Sequence, residues 1–524
     1  MKQRRLYPIG IQTFEDIIRD KYAYVDKTRQ VYDLANTGKC FFLSRPRRFG
    51  KSLLISTLEA YFRGRKELFK GLAIEKLETK WEQYPVLWLD LNNENYKDAE
   101  TLESILNRHL YEWEDVYGAN PRERTLSDRF VGVIKRAVAQ TGKKVVILID
   151  EYDKPLLETI DKSEINEQMR TLLKTFYATL KSQDRNIRFA LLTGVSKFSH
   201  VTIFSGLNNL VDITMENEFA DICGITDQEL HDNFDADIQR LADANKMTKE
   251  EAYEKLRDNY DGYHFVPDGA GLYNPFSLMN VLRFCNFRDY WFVTETPAFL
   301  VKLLRKSKVD LTTLSDGVEA SADKLSAIDA HDNHIPMMYQ SGYLTIKEYN
   351  GRFYRLGFPN GEVHRAFMNC LVPYYLNTAD DVGDEKASRL SNAVQGGDVD
   401  EMMRLFKEML GKTPCESNED APLELHYRNT ICVMVNMTGE RVEIEEPTAR
   451  GRIDVAIESK DYVYVMELKR GTTDEAAEQI EDRRYLDAYA ADKRKVIALA
   501  VALNDNPQHW QLATGERVMS QIRV

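Results

Sequence analysis

The sequence predicts an α/β protein with a parallel sheet first, a helical middle, and a smaller mixed α/β module last. Three observations predict this. Short apolar runs alternate with helical periodicity over residues 1–222, the pattern of strands and helices that builds a parallel sheet covered on both faces. From about Gly224 the texture changes to polar helical stretches opened by capping signals. From Leu423 onward the order is helix, paired strands, helix, strand.

In chain order, the apolar runs of the first region are Cys40–Leu43, Val86–Leu91, Val145–Asp150, Phe189–Thr193 and Val211–Thr214. Between them, Lys51–Phe62, Ser127–Ala139 and Glu167–Leu180 read as helices. The run Val145–Ile149 is apolar at every position, as a central parallel strand buried on both faces should be. In the middle region, Thr226-x-x-Glu229 and Thr248-x-x-Glu251 have the spacing of capping boxes. This region is rich in Tyr and Phe and holds no recognisable catalytic pattern. Acidic, Gly-containing segments at Asp380–Glu385 and Gly396–Asp400 read as a boundary or an exposed loop. The expected domains are therefore residues 1–222, 223–380 and 381–524. In the last, a helix over Leu423–Met437 precedes a strand near Val442–Glu446. Two more strands, Arg452–Glu458 and Tyr462–Leu468, follow across Ser459-Lys460-Asp461. Thr472-x-x-Glu475 opens a helix running to about Tyr489, and Val496–Leu503 is a further strand.

At roughly 150 residues per domain, a 524-residue chain holds two to four domains. Hydrophobic residues at 43% and charged residues at 29% suit a globular protein with a core of useful size. The 70 basic and 83 acidic side chains leave a formal charge of −13, which argues against coating nucleic acid through bulk charge but not against a local basic groove. The longest apolar run, Val496–Leu503, is far short of a membrane span, so no membrane partner is expected. Basic residues near the N-terminus are followed by no apolar stretch, unlike a secretory signal. Six scattered cysteines with no Cys-x-x-Cys pair read as reduced thiols of a cytoplasmic protein.

Two constellations carry chemistry. In the first, Cys40–Leu43 leads into Ser44-Arg45-Pro46-Arg47-Arg48-Phe49-Gly50-Lys51-Ser52 and an apolar helix start. This is the strand–loop–helix setting of a P-loop, whose backbone N–H groups and helix dipole favour phosphate. Arg45 through Ser52 are the candidate ATP contacts, with Lys51 on the β/γ phosphates and the Ser52 hydroxyl on Mg²⁺. Arg45 stands where the strict pattern has glycine. Arg45, Arg47 and Arg48 read either as a solvated loop or as extra contacts to an anion or a partner's phosphate backbone. Asp150 and Glu151, at the tip of a buried strand, match a Walker B pair: Asp150 on Mg²⁺ and Glu151 polarising the attacking water. Phe189–Thr193 is the candidate for a strand between these two, leaving Thr193 or Ser196 near the γ-phosphate or simply in a strand-end turn.

In the second constellation, Asp454 begins one strand and Glu467-Leu468-Lys469 ends the next, a spacing that lets two antiparallel strands bring the carboxylates together. Glu467 and Lys469 share a strand face. Two carboxylates suit a hard cation such as Mg²⁺ or Mn²⁺, which can lower the pKa of bound water and stabilise charge on a phosphodiester. Lys469 is the candidate for orienting that water, and Gln479 for facing the cleft from the following helix. Glu424, on the preceding helix, is either a third metal ligand or an acid that compensates the helix dipole.

Tyr7-Pro8-Ile9-Gly10, Tyr24-Val25-Asp26-Lys27-Thr28, Arg45–Ser52, Asp150-Glu151-Tyr152-Asp153, Thr193–Phe198, Phe204–Asn209 and Tyr260-Asp261-Gly262-Tyr263 resemble a bacterial family of AAA-ATPase-like proteins. That family ends in a PD-(D/E)XK nuclease superfamily domain, whose core Gly451–Asp454 and Glu467–Lys469 resemble. The resemblance spans nearly the whole chain, and the arginine-rich P-loop is characteristic of the family. It implies a P-loop NTPase parallel sheet, a helical lid or linker, and a restriction-endonuclease-like C-terminal domain. The expected function is ATP binding and hydrolysis coupled to metal-dependent cleavage of DNA. The alternatives are a nucleotide-switched binding protein with an inactive nuclease-like module, or a regulatory ATPase that recognises protein. Homo-oligomerisation is left open, since no arginine finger stands out.

Overall fold

Each apolar run of the first region forms a strand in the computed structural model of the chain, which describes residues 5–92, 95–197, 209–291, 314, 317–325, 334–376, 380–410, 423–503 and 511–514. These residues divide into two compact units. The first takes in residues 5–291 and 317–363, the second Leu314 and the residues from His364 onward.

The first unit is built on five parallel strands: β1 (Cys40–Ser44), β2 (Val86–Asp90), β3 (Val145–Asp150), β4 (Ile187–Gly194) and β5 (Val211–Asp212). Their spatial order is β2-β3-β4-β1-β5. The strand over Phe189–Thr193 does lie between the other two site-bearing strands, pairing Leu43 with Thr193 on one side and Ile149 with Leu192 on the other. β1 and β3 are buried along their whole length. One core cluster joins Phe42, Leu87, Ile147, Ile149 and Leu192 to Phe130, Leu173 and Phe176 of the covering helices.

The described residues of 223–291 and 317–363 fall in the same unit as this sheet. Both expected capping boxes are present, on Asp227–Asn245 and Lys249–Tyr260. The middle is not purely helical, however. A two-stranded pair, β6 (Ile225–Thr226) with β7 (Leu272–Tyr273), is followed by a three-stranded antiparallel sheet of β8 (Val318–Ser321), β9 (Thr345–Tyr349) and β10 (Phe353–Gly357).

In the second unit the acidic stretch expected as a boundary or loop is helical from Asp380 to Gly396. Gly397, at φ +74°, makes the turn into the next helix, Val399–Leu410. The helix Leu423–Asn436 precedes a mixed sheet ordered β11 (Arg441–Thr448), β12 (Gly451–Glu458), β13 (Tyr462–Lys469), β14 (Lys495–Ala502) and β15 (Gln511–Thr514). β13 and β14 run parallel, and the other neighbours are antiparallel. The capping box of Thr472 and Glu475 opens the crossover helix Thr473–Asp482. It stops short of Tyr489 because Arg484 turns left-handed, at φ +51°, and Tyr485–Tyr489 continues as a 3₁₀ helix. Ile453, Val463, Val465, Ala476, Ile480 and Tyr485 pack this crossover onto the sheet. Among the described residues, no helix is long and apolar enough to cross a membrane.

Candidate functional site

The early site sits where β1 and β3 end side by side across β4. Gly50, at φ +96°, caps the helix Lys51–Phe62. A Cβ there meets nothing within 4 Å, so glycine is required by the backbone angle and not by space. Lys51 is only 4% exposed. Its ammonium donates to the carbonyls of Arg45 and Pro46 at 3.1 and 3.3 Å and lies 3.7 Å from Glu151. Asp150 accepts from the Thr193 hydroxyl at 2.7 Å and from the Glu151 N–H at 3.1 Å. Burial first, then the neighbouring Glu151 charge, raise the Asp150 carboxyl above its ordinary range. Hydrogen bonds from Ser52 and Thr193 and the Lys51 charge oppose this. Ser52, Asp150, Lys51 and Glu151 therefore form one cluster. Glu151 holds φ +55°, a left-handed angle that is rare for a non-glycine residue and typical of functional sites.

The cluster opens on a cavity of about 350 Å³, lined by Arg47 through Ser52 and Glu151 on one side. Ile9–Ile11, Tyr24–Val25, Ile222–Ile225 and Phe276 line the other. Arg48 lies over the Phe276 ring at 4.9 Å. Ile9, Gly10, Tyr24 and Val25 belong to family-like segments that carried no role from sequence, and Ile222–Ile225 and Phe276 were not singled out, because a hydrophobic wall has no fixed spacing in sequence.

The structure corrects the assignment of Arg45. It is almost wholly buried and turned away from the cavity, with its guanidinium donating to the carbonyls of Ser44, Thr214, Phe219 and Ala220. It also lies 4.1 Å over the Phe265 ring, and its backbone N–H donates to Gly194 O at 3.1 Å. Every donor it could offer a phosphate is thus directed elsewhere or buried, and Arg45 braces the loop. Pro46 contributes its carbonyl to Lys51, and its ring abuts Gly342. Phe49 is an anchor, meeting Tyr263 and Phe265 edge-on at 4.7 and 5.4 Å.

Thr193 acts on Asp150 and the Ile149 carbonyl. Ser196 is fully buried and does not line the cavity. Asp153, given no role from sequence, is fully buried and accepts from the N–H groups of Val195 and Ser196 at 3.0 and 2.6 Å. The Tyr152 hydroxyl donates to the Ser196 carbonyl. Together they tie the tip of β3 to the tip of β4. Their adjacency to Asp150 and Glu151 is the signal that could have found them. The family-like segments at 198 and at 204–208 lie outside the described residues.

In the late site, Asp454 accepts the Leu468 N–H at 2.8 Å, which fixes its carboxylate beside the Glu467 end of β13. Glu467 is 1% exposed, and its Oε2 has no hydrogen-bond partner. Burial and then the Asp454 charge push the Glu467 carboxyl well above the usual carboxylate range, against the pull of Lys469. The Lys469 ammonium lies 3.7 Å from Glu467 Oε1. Gln479 donates to the Tyr485 hydroxyl at 3.2 Å, and the Glu467 and Asp454 charges are both felt at that phenol. Asp454, Glu467, Lys469 and Gln479, through Tyr485, are thus brought together. The orphaned, buried Glu467 oxygen next to a second carboxylate is a donor set that fits a hard divalent ion. Glu424 lies on the helix Leu423–Asn436, but its side chain is outside the described residues.

This geometry, a phosphate-binding loop facing an acidic strand tip and a separate carboxylate pair on a mixed sheet, agrees with what the chain is similar to. Residues 8–204 match the family described as "Predicted AAA-ATPase", and residues 423–510 match the PD-(D/E)XK nuclease superfamily. The chain belongs to the family of AAA-ATPase-like proteins that carry a C-terminal PD-(D/E)XK nuclease superfamily domain. One relative, an "Uncharacterized protein in vnfD 5'region" of Azotobacter chroococcum mcd 1, is 34% identical over 510 residues, covering 95% of this chain and 96% of its own.

Proposed function

We propose that the chain binds and hydrolyses ATP at the early site and hydrolyses DNA phosphodiester bonds at the late one, with Mg²⁺ or Mn²⁺. The observation that carries this reading is the presence of both clusters in one chain: Lys51 facing Glu151 beside Asp150, and a buried carboxylate pair with an unspent oxygen.

In the early site, Lys51 exchanges its carbonyl partners for the β/γ phosphates of ATP. Ser52 and Asp150, already hydrogen-bonded, would hold the Mg²⁺ that accompanies the nucleotide. Glu151 orients the attacking water and accepts its proton. Arg47 and Arg48 face the cavity and offer further charge to the phosphates. In the late site, Asp454 and Glu467 would hold a divalent ion, which supplies an activated water and charge stabilisation. Lys469 orients the nucleophile toward the phosphodiester, and Gln479 fixes Tyr485 against the acids.

Purified protein is expected to cut plasmid DNA with Mg²⁺, whereas Asp454→Ala and Lys469→Ala do not. Equal cleavage by all three removes the nuclease reading. Lys51→Ala should abolish ATP turnover; unchanged nucleotide affinity would mean that the loop is not a phosphate site.

A second reading, a nucleotide-switched protein whose nuclease-like module only binds, is favoured by one observation. The Arg428 guanidinium already sits 3.8 Å from Asp454. DNA binding that survives loss of both carboxylates, with no cleavage under any divalent ion, is its signature.

A further inference from the structure

The late site contains a third acid and a built-in cation. In the ladder between β11 and β12, Ile444 pairs with Val455 and Glu446 with Ile453. The position opposite Asp454 therefore belongs to Glu445, and that one step is not bridged. On the other side, Val455 pairs with Met466, so the next step sets Asp454 against Glu467. Three carboxylates thus stand in one row across three neighbouring strands. Like charges directly opposite each other on a sheet repel, so the row is stabilised by a proton on one acid or by a cation beside it.

The chain supplies one. Arg428, on the helix Leu423–Asn436, pairs with Glu445 and approaches Asp454 Oδ1 to 3.8 Å. Glu445 holds φ +53°, a left-handed angle unfavourable for a non-glycine residue, at the point where the ladder is broken. Such strain persists only where the surroundings impose it. Arg428 serves Glu445 and Asp454, while Glu467 Oε2 remains buried without a hydrogen bond. One arginine and the Lys469 ammonium, 3.7 Å from Glu467, face three acids. Among the described residues, no group of three His, Cys, Asp or Glu side chains is placed to hold a metal ion as the acids now stand.

We infer that Glu445 is a third carboxylate ligand of the late site and that Arg428 is a resident cation which a divalent ion displaces. This rests on the metal-dependent reading of that site. It identifies a ligand on β11 that motif spacing does not indicate. It also makes Arg428 a competitor of the ion, a placeholder that keeps the acid row folded until the ion arrives.

The test is Mn²⁺ binding to full-length, nucleotide-free protein, followed by electron paramagnetic resonance, with Asp454→Asn as the reference for loss of the late site. Glu445→Gln should weaken that site by about 10–100-fold, the usual effect of removing a group that supports a metal. Arg428→Gln should tighten it by about tenfold, because the ion no longer competes with a guanidinium. The double variant Glu445→Gln/Arg428→Gln removes the Glu445–Arg428 ion pair as a unit, so it carries the test if a single variant fails to fold; it should bind more weakly than Arg428→Gln. Unchanged affinity in Glu445→Gln, or equal affinity in the double variant and Arg428→Gln, overturns the ligand assignment. Unchanged or weaker affinity in Arg428→Gln overturns the placeholder. Mn²⁺ binding that is unaffected by Asp454→Asn instead removes the metal-dependent reading itself, a result distinct from the other two.

Discussion

Arg45 shows how one side chain can look like a phosphate contact and serve another purpose. It donates to four carbonyls behind the loop, two of them on partly buried residues, and removing it takes a charged partner from each. Arg45→Met is expected to lower unfolding stability by about 3 kcal/mol. ATP affinity of the folded fraction should fall far less than in Lys51→Ala; urea titration and nucleotide binding on the same samples separate the two effects. Glu362 offers a second test at this scale. Its carboxylate is buried, accepts the N–H groups of Tyr290 and Trp291, and is raised by burial to about 7. A folded-state pKa above the unfolded one contributes stability that is complete below the unfolded value and is lost as pH rises through the folded value. Glu362→Gln should therefore gain roughly 1–3 kcal/mol relative to wild type between pH 5 and pH 8, read as a shift in denaturation midpoint. Lys51, Asp150, Glu151, Asp454 and Glu467 were legible from their spacing, since each sits at a strand end or helix start that the apolar pattern fixes. Arg45, Asp153 and Glu445 were not, because their roles depend on partners far away in the chain or on a neighbouring strand.

Regular elements followed the same division. The helix Lys51–Phe62 and all three capping boxes lie where local pattern puts them. The sheet of β8, β9 and β10 was missed although Asn350-Gly351 is a hairpin signal. Asn350 Oδ1 accepts the N–H groups of Arg352 and Phe353, and Gly351 takes φ +88°. The surrounding helical texture hid it. Arg484 breaks its helix without Gly or Pro, so nothing local announces the stop. Two glycines make the energetic point at this scale. Gly262 has φ +94°, and a Cβ there would lie 2.3 Å from the Pro359 carbonyl oxygen. Gly71 has φ +85° and open space. Gly71→Ala should cost about 1 kcal/mol, from the left-handed angle alone. Gly262→Ala should cost several-fold more, because backbone must also move, and chemical denaturation of both variants checks the difference.

For the molecule as a whole, two compact units with one candidate ligand site each should respond to ligands separately. A ligand that binds only the native state raises its stability by mass action. In scanning calorimetry, a non-hydrolysable ATP analogue with Mg²⁺ should raise a transition belonging to the first unit. Lys51→Ala should remove that shift and Asp454→Asn should leave it. Mn²⁺ without nucleotide should raise a second transition, with the opposite dependence on the two variants. One transition that answers equally to both ligands would mean that the units unfold as one.

The placement of β4 between β1 and β3 has a consequence for biosynthesis. A nascent chain that has emerged only as far as Asp153 already carries Lys51 and Glu151, yet the strand that sets them side by side ends at Gly194. At about 5–20 residues added per second, the ribosome exposes both halves of the Lys51–Glu151 cluster seconds before their spacer appears. β1 and β3 could meanwhile zip together directly, in an order that β4 would later have to undo.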